Sequence, residues 1–189
     1  MTAKAAIDAR ESGDLAALLD LLSSTDRVTR WAAAQQLGKL GDPAAVDALM
    51  LKLQARDDGL RVSTIRALVA IGDPSAVEAL IDVVESDPAS GVRVTAIEAL
   101  ALLGDPRGGE MLALLAVDPS SLLSTSQRRF DNFKQNGYAS ERRWATKRLR
   151  QLRPPAALPV LEAAHPSSPL QRLRLRQTRR ALRKSPRLG

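Results

Sequence analysis

The sequence predicts an all-α fold, an α-solenoid of about four to five helical hairpins with a basic C-terminal capping helix. Three observations carry this. First, Gly-Asp-Pro recurs at residues 41–43, 72–74 and 104–106, offsets of 31 and 32 residues, and periods of this size mark repeat architectures. Second, the flanks recur in register. Arg30, Arg61 and Arg93 align, as do Trp31, Val62 and Val94, then Leu37, Leu68 and Leu100, then Leu49, Leu80 and Leu112. Third, 44% of the 189 residues are hydrophobic but only 3% are aromatic. An interior of Leu, Ala, Val and Ile suits closely packed helices better than a sheet.

The elements follow in order along the chain. Gly13-Asp14-Leu15 introduces Leu18, Leu19, Leu21 and Leu22, a second helix preceded by a short first one. In the central repeat, Val62, Ile65, Leu68 and Ile71 form one helical stripe. Gly72 then stands where a helix ends in a left-handed residue. Asp73 caps the next helix, and Pro74 fits its first turn because its missing N–H is not needed there. That second helix, roughly 74–85, carries Val77, Leu80, Ile81 and Val84 on its apolar side. The triplet is therefore a corner between antiparallel helices. A further copy matches at a constant offset of 112: Arg142, Leu149, Leu152, Pro155, Leu158 and Leu161 correspond to Arg30, Leu37, Leu40, Pro43, Val46 and Leu49. A last basic helix, about 170–184, closes the stack, with Leu170, Leu173, Leu175 and Leu182 on its docking side. The expected division is an array over 1–165, interrupted by an atypical insertion at about 118–138, and a basic helix and tail over 166–189.

An acidic loop, a hydrophobe–Arg start, an Ala-rich first helix and an LGDP-type closure recur here. They are clearest in Asp57-Asp58-Gly59-Leu60-Arg61-Val62 and from Asp87 to Val92-Arg93-Val94. This pattern resembles the HEAT-like repeats, in particular the short form of the phycobilisome-lyase type, strongly over 14–117 and weakly over 139–165. The resemblance implies a right-handed superhelix with second helices on the concave side. It also implies that Arg30, Arg61, Arg93 and Arg142 tie neighbouring repeats together through loop aspartates and do not form a phosphate-binding ladder.

Composition narrows the chemistry. With no cysteine and one histidine, His165, the chain lacks thiolate metal sites, a cysteine nucleophile and the paired imidazoles of an HExxH zinc site. His165 precedes Pro166 at a helix end, where an imidazole complements the dipole. The expectation is a non-enzymatic protein with no cofactor or metal. The longest apolar run, Met111 to Val117, is far short of the ~20 residues a membrane span needs. The N-terminus turns acidic before any apolar core develops, so no signal peptide and a cytoplasmic location are expected.

Two constellations point to binding. Asp47, Glu78 and Glu110 occupy one equivalent second-helix position in three repeats, joined by Asp82 and Glu85. They form a carboxylate ridge suited to a basic protein partner, or simply a solvated polar face. The charge then reverses. Residues 1–119 hold 11 basic and 18 acidic side chains, whereas 120–189 hold 17 and 3. In the insertion, Arg128, Arg129 and Lys134 interleave with Phe130 and Phe133, followed by Arg142, Arg143, Lys147 and Arg148. Cations among aromatics can hold a single strand by phosphate contact and base stacking; alternatively, both Phe side chains are core. The favoured reading is a scaffold for protein–protein interaction. Nucleic-acid or ribonucleoprotein binding through the basic third is the alternative, and a bilin lyase or chaperone-like factor, implied by the resemblance, is the minor one.

Overall fold

The computed structural model describes residues 3–118, 139–164 and 169–183. Among them every regular element is helical: α1 (Ala3–Glu11), α2 (Leu15–Leu21), α3 (Arg27–Leu40), α4 (Val46–Lys52), α5 (Asp58–Ile71), α6 (Ala76–Ser86), α7 (Ser90–Leu102), α8 (Pro106–Val117), α9 (Ala139–Leu152), α10 (Ala157–Ala163) and α11 (Pro169–Arg183). The protein is an all-α solenoid.

The corners explain the repeat. Gly41, Gly72 and Gly104 end their helices at φ 73°, 78° and 82°, a left-handed conformation that costs other residues a clash with Cβ. The next residue of each triplet then caps. Asp42, Asp73 and Asp105 accept hydrogen bonds from the amides of Ala44 (2.9 Å), Ser75 (2.8 Å) and Arg107 (2.9 Å). Each accepts from the amide two residues on, so the chain turns before the second helix is fully wound. In the first repeat it passes through a 3-10 turn at Pro43–Ala45. In the degenerate copy, Arg153 stands where Gly41 stands in the first, and it too adopts positive φ, 49°. The corner geometry thus survives the loss of its glycine.

The chain divides into two compact units, Met1–Ala99 and Leu100–Gly189, with the boundary inside α7. In the first unit α1, α3 and α5 pack side by side, while α2 and α4 lie against α3 and α5 respectively. Leu18, Ala33, Ala34, Leu37, Leu49, Ile65, Leu68 and Leu80 are fully buried. The predicted α5 stripe is wider than its hydrophobic pattern: Val62 and Ile71 are half-buried, whereas Leu60, Ser63, Thr64 and Ala67 join Ile65 and Leu68 inside. A helix with neighbours on more than one side buries more than one stripe. Helices α3 and α5 also approach closely, since a Cβ on Gly38 would stand 2.7 Å from Ala67 Cα.

In the second unit α8 packs on α9 and α10, and α11 lies against both α9 and α10. Its core contains Leu112, Leu115, Ala145, Leu149, Leu161 and Leu175. The docking seam of α11 differs from the expected one. Leu173 is 53% exposed, and the buried positions are Leu175, Thr178 and Leu182. Thr178 is tolerated because its hydroxyl is satisfied, donating to the Arg174 carbonyl (2.9 Å) and accepting from Arg150 Nε (3.2 Å). The Leu170 side chain lies outside the described residues. Arg179 donates to the carbonyls of Leu161 and Ala164 at the end of α10, where a cation complements the helix dipole.

Candidate functional site

Three of the four repeat-start arginines, Arg30, Arg61 and Arg93, are spent on structure. Arg30 donates to the Ser24 and Thr25 carbonyls (both 2.9 Å), Arg61 to Ala55 (2.7 Å) and Arg93 to Asp87 and Pro88. Each reaches back to the loop leaving the previous hairpin, whose terminal carbonyls need donors. Arg61 also reaches forward to the next loop, meeting Asp87 with Nε at 2.6 Å and Nη2 at 2.9 Å in a buried bidentate pair. The guanidinium is well suited to this because its fork serves two loops at once.

The corresponding pair in the preceding repeat has grown into a hub. Asp57 accepts from Arg27 (3.1 Å to each oxygen), from Trp31 Nε1 (3.0 Å) and from the amides of Gly59 (3.0 Å) and Leu60 (3.3 Å); Arg30 Nη2 approaches to 3.5 Å. Burial works to raise its pKa, but the bonds from Arg27, Trp31 and Leu60 outweigh it and hold the carboxyl below its usual range. The Arg27 guanidinium also lies 4.5 Å over the Trp31 ring, a cation–π contact.

The second-helix carboxylates behave differently from those at the junctions. Asp47 on α4 is exposed, as are Glu78, Asp82 and Glu85 on α6. Spacings of four and three residues put the α6 trio on one helix face. Asp47, Asp82 and Glu85 make no side-chain ion pair or hydrogen bond among the described residues. Leu51, one turn beyond Asp47, is 76% exposed. Glu110, on α8 of the second unit, is also exposed.

Of the basic positions, Arg128, Arg129, Phe130, Phe133 and Lys134 lie outside the described residues, as does His165. Arg142 is half-buried on α9, its carbonyl accepting from Thr146 (2.7 Å). Arg148 is half-buried and donates to Gln151 Oε1 (3.0 Å). Arg143 and Lys147 are exposed. These two open onto a cleft of about 410 Å³ between α9 and α11, lined by Arg143, Thr146, Lys147, Arg150, Gln151, Arg174 and Gln177. Among the described residues no three His, Asp or Glu side chains converge as a metal set, and no helix is long and apolar enough to cross a membrane.

A family model of HEAT repeats matches residues 2–58 and 46–126, well over half of the chain. The chain belongs to the HEAT-repeat family. Two solved structures are similar to this HEAT-repeat chain. A complex of CpcE and CpcF of phycocyanin lyase from Nostoc sp. PCC7120 is 21% identical, with a TM-score of 0.49 over 94% of this chain and 73% of that one. An engineered protein is 19% identical, with a TM-score of 0.50 over 97% and 85% respectively. No curated protein sequence matches the chain.

Two features of this HEAT array escaped the sequence reading. Trp31 takes a position filled by Val62 and Val94 in the later repeats, and its larger ring is accommodated by Gly59, where a Cβ would stand 2.3 Å from Trp31 Cζ2. The other is the role of Arg150. Its spacing of seven and three residues from Arg143 and Lys147 was legible as one helix face, but its partners on α11 are remote in sequence.

Proposed function

We propose that this HEAT-repeat chain is a non-enzymatic scaffold that engages a protein partner through the second helices of its first unit. The observation that carries the reading is the division of labour among its acids. Asp57 and Asp87 are consumed in joining repeats, whereas Asp47, Asp82 and Glu85 stand in solvent without an ion pair among the described residues. Carboxylates beside an exposed leucine favour a partner that brings cations around an apolar contact. A chain without cysteine and with one histidine also offers few groups for acid–base or nucleophilic work.

The test reverses the face. Asp47→Lys, Asp82→Lys and Glu85→Lys together should leave helicity and the denaturation midpoint near wild type, because all three side chains are exposed. Partners recovered by the wild-type protein from nuclease-treated lysate, identified by mass spectrometry, should be lost with the triple variant. Equal recovery by both proteins refutes the assignment of this face. Recovery that disappears on nuclease treatment of the wild type would instead support the nucleic-acid alternative.

A further inference from the structure

We infer that the cleft between α9 and α11 is a binding site for a compact anion carrying more than one phosphate. Three observations converge on it.

The first is charge. Arg143, Lys147, Arg150 and Arg174 line the cleft, and among the described residues no carboxylate does. Elsewhere in the second unit acids do sit beside cations: Glu162 pairs with Arg183 at 2.6 Å, and Asp105 with Arg107 at 2.8 Å. Four cations exceed what one phosphate group, of charge about −2 at most, can neutralise.

The second is the polarity of the neutral groups. Arg148 donates to Gln151 Oε1 (3.0 Å), and Arg150 Nη2 donates to Gln177 Oε1 (3.1 Å). A guanidinium can only donate, so each amide is oriented with its oxygen committed to an arginine. Each glutamine's NH2 group is then turned away from the arginine and left to donate to a ligand. The cleft therefore offers donors from both glutamines and all four cations, a lining that favours anions. The Thr146 hydroxyl hydrogen is already committed to the Arg142 carbonyl.

The third is preorganisation. Arg150 is held by Thr178 Oγ1 (3.2 Å), the Arg174 carbonyl (3.4 Å) and Gln177, so one cation is fixed before a ligand arrives. Arg143 and Lys147, four residues apart on α9, are one turn from each other and free to close over it. The arginine forks match the oxygen geometry of phosphate. The volume, about 410 Å³, lies in the range of small-molecule sites.

The site is tested on the full-length protein by isothermal titration with inorganic tripolyphosphate at 150 mM salt, where long-range attraction is screened within about 8 Å. Saturable binding is expected, weakened about tenfold or more in Arg143→Gln/Lys147→Gln, which loses two charge-assisted contacts. Arg176→Gln/Arg180→Gln removes the same charge from α11 outside this cleft and should change affinity less than threefold. Gln177→Glu, which places an acceptor in the lining, should weaken binding while retaining the fold by circular dichroism. Equal losses in the two double variants would overturn the site, leaving only the general field of a basic unit. So would absence of binding at this salt. Oligo(dT) and poly-glutamate serve as competitors. If either binds through Arg143 and Lys147 while tripolyphosphate does not, the compact phosphate ligand is wrong.

Discussion

Two ion pairs in this protein have the same closest approach and opposite surroundings, and their removal should have very different consequences. Arg61 and Asp87 meet at 2.6 Å with side chains 7% and 4% exposed; Arg183 and Glu162 also meet at 2.6 Å, with side chains 63% and 43% exposed. Asp87→Ala deletes both bonds from Arg61 and the one from the Ala89 amide (2.8 Å), and leaves the Arg61 guanidinium inside with the Ala55 carbonyl as its remaining acceptor. Breaking such a buried pair costs about 3–5 kcal/mol. With a urea slope of about 2 kcal/mol per molar, the midpoint should fall by about 2 M. Glu162→Ala removes an equally short bond from a hydrated site and should cost less than about 1 kcal/mol. Urea unfolding followed by circular dichroism measures both. Pairing Asp87→Ala with Arg61→Met should recover part of the loss, because the damage comes from the stranded charge. If Asp87→Ala shifts the midpoint no more than Glu162→Ala, the Arg–Asp junction is not what couples these repeats.

The junction around Trp31 makes two further predictions. Gly59→Ala pushes a methyl into the Trp31 ring and should destabilise by about 1–3 kcal/mol; adding Trp31→Val, the residue type at the equivalent positions 62 and 94, should restore most of it, and an unrelieved loss would show that another contact sets the spacing. Because the Asp57 carboxyl is held below its usual range, the unfolded chain binds its proton more readily, so its stabilisation is complete above about pH 4–5 and is lost as pH falls toward the folded value. Urea midpoints at pH 5 and pH 3 should differ more in the wild type than in Asp57→Asn; equal differences would remove Asp57 from the acid response.

Much of the fold was local enough to be written in the chain. The Gly-Asp-Pro corners were legible because left-handed φ, side-chain capping and a missing N–H are properties of one, two or three consecutive residues. The offset that aligned Arg153 with Gly41 was legible for the same reason, although only the structure shows an arginine adopting the glycine conformation. Leu68 and Leu80 announced themselves by period, and both are fully buried. What the pattern could not convey was which neighbour fills each remaining side. Leu173 looked like part of the α11 seam and is exposed, while Thr178 is buried, because Arg150 on α9 supplies the hydrogen bond that makes a hydroxyl welcome there.

The same division holds for the candidate sites. Sequence alone established the repeat, the reversal of charge along the chain and the identity of the exposed acids, all of which depend on composition and helical spacing. The tertiary structure decided which charges are already spent. Arg61 and Asp87 lie 26 residues apart and neutralise each other, whereas Arg143, Lys147, Arg150 and Arg174 come from two helices and line one cleft. Whether a charge is free is a property of its partners, and partners contributed by other hairpins are fixed only when the helices pack.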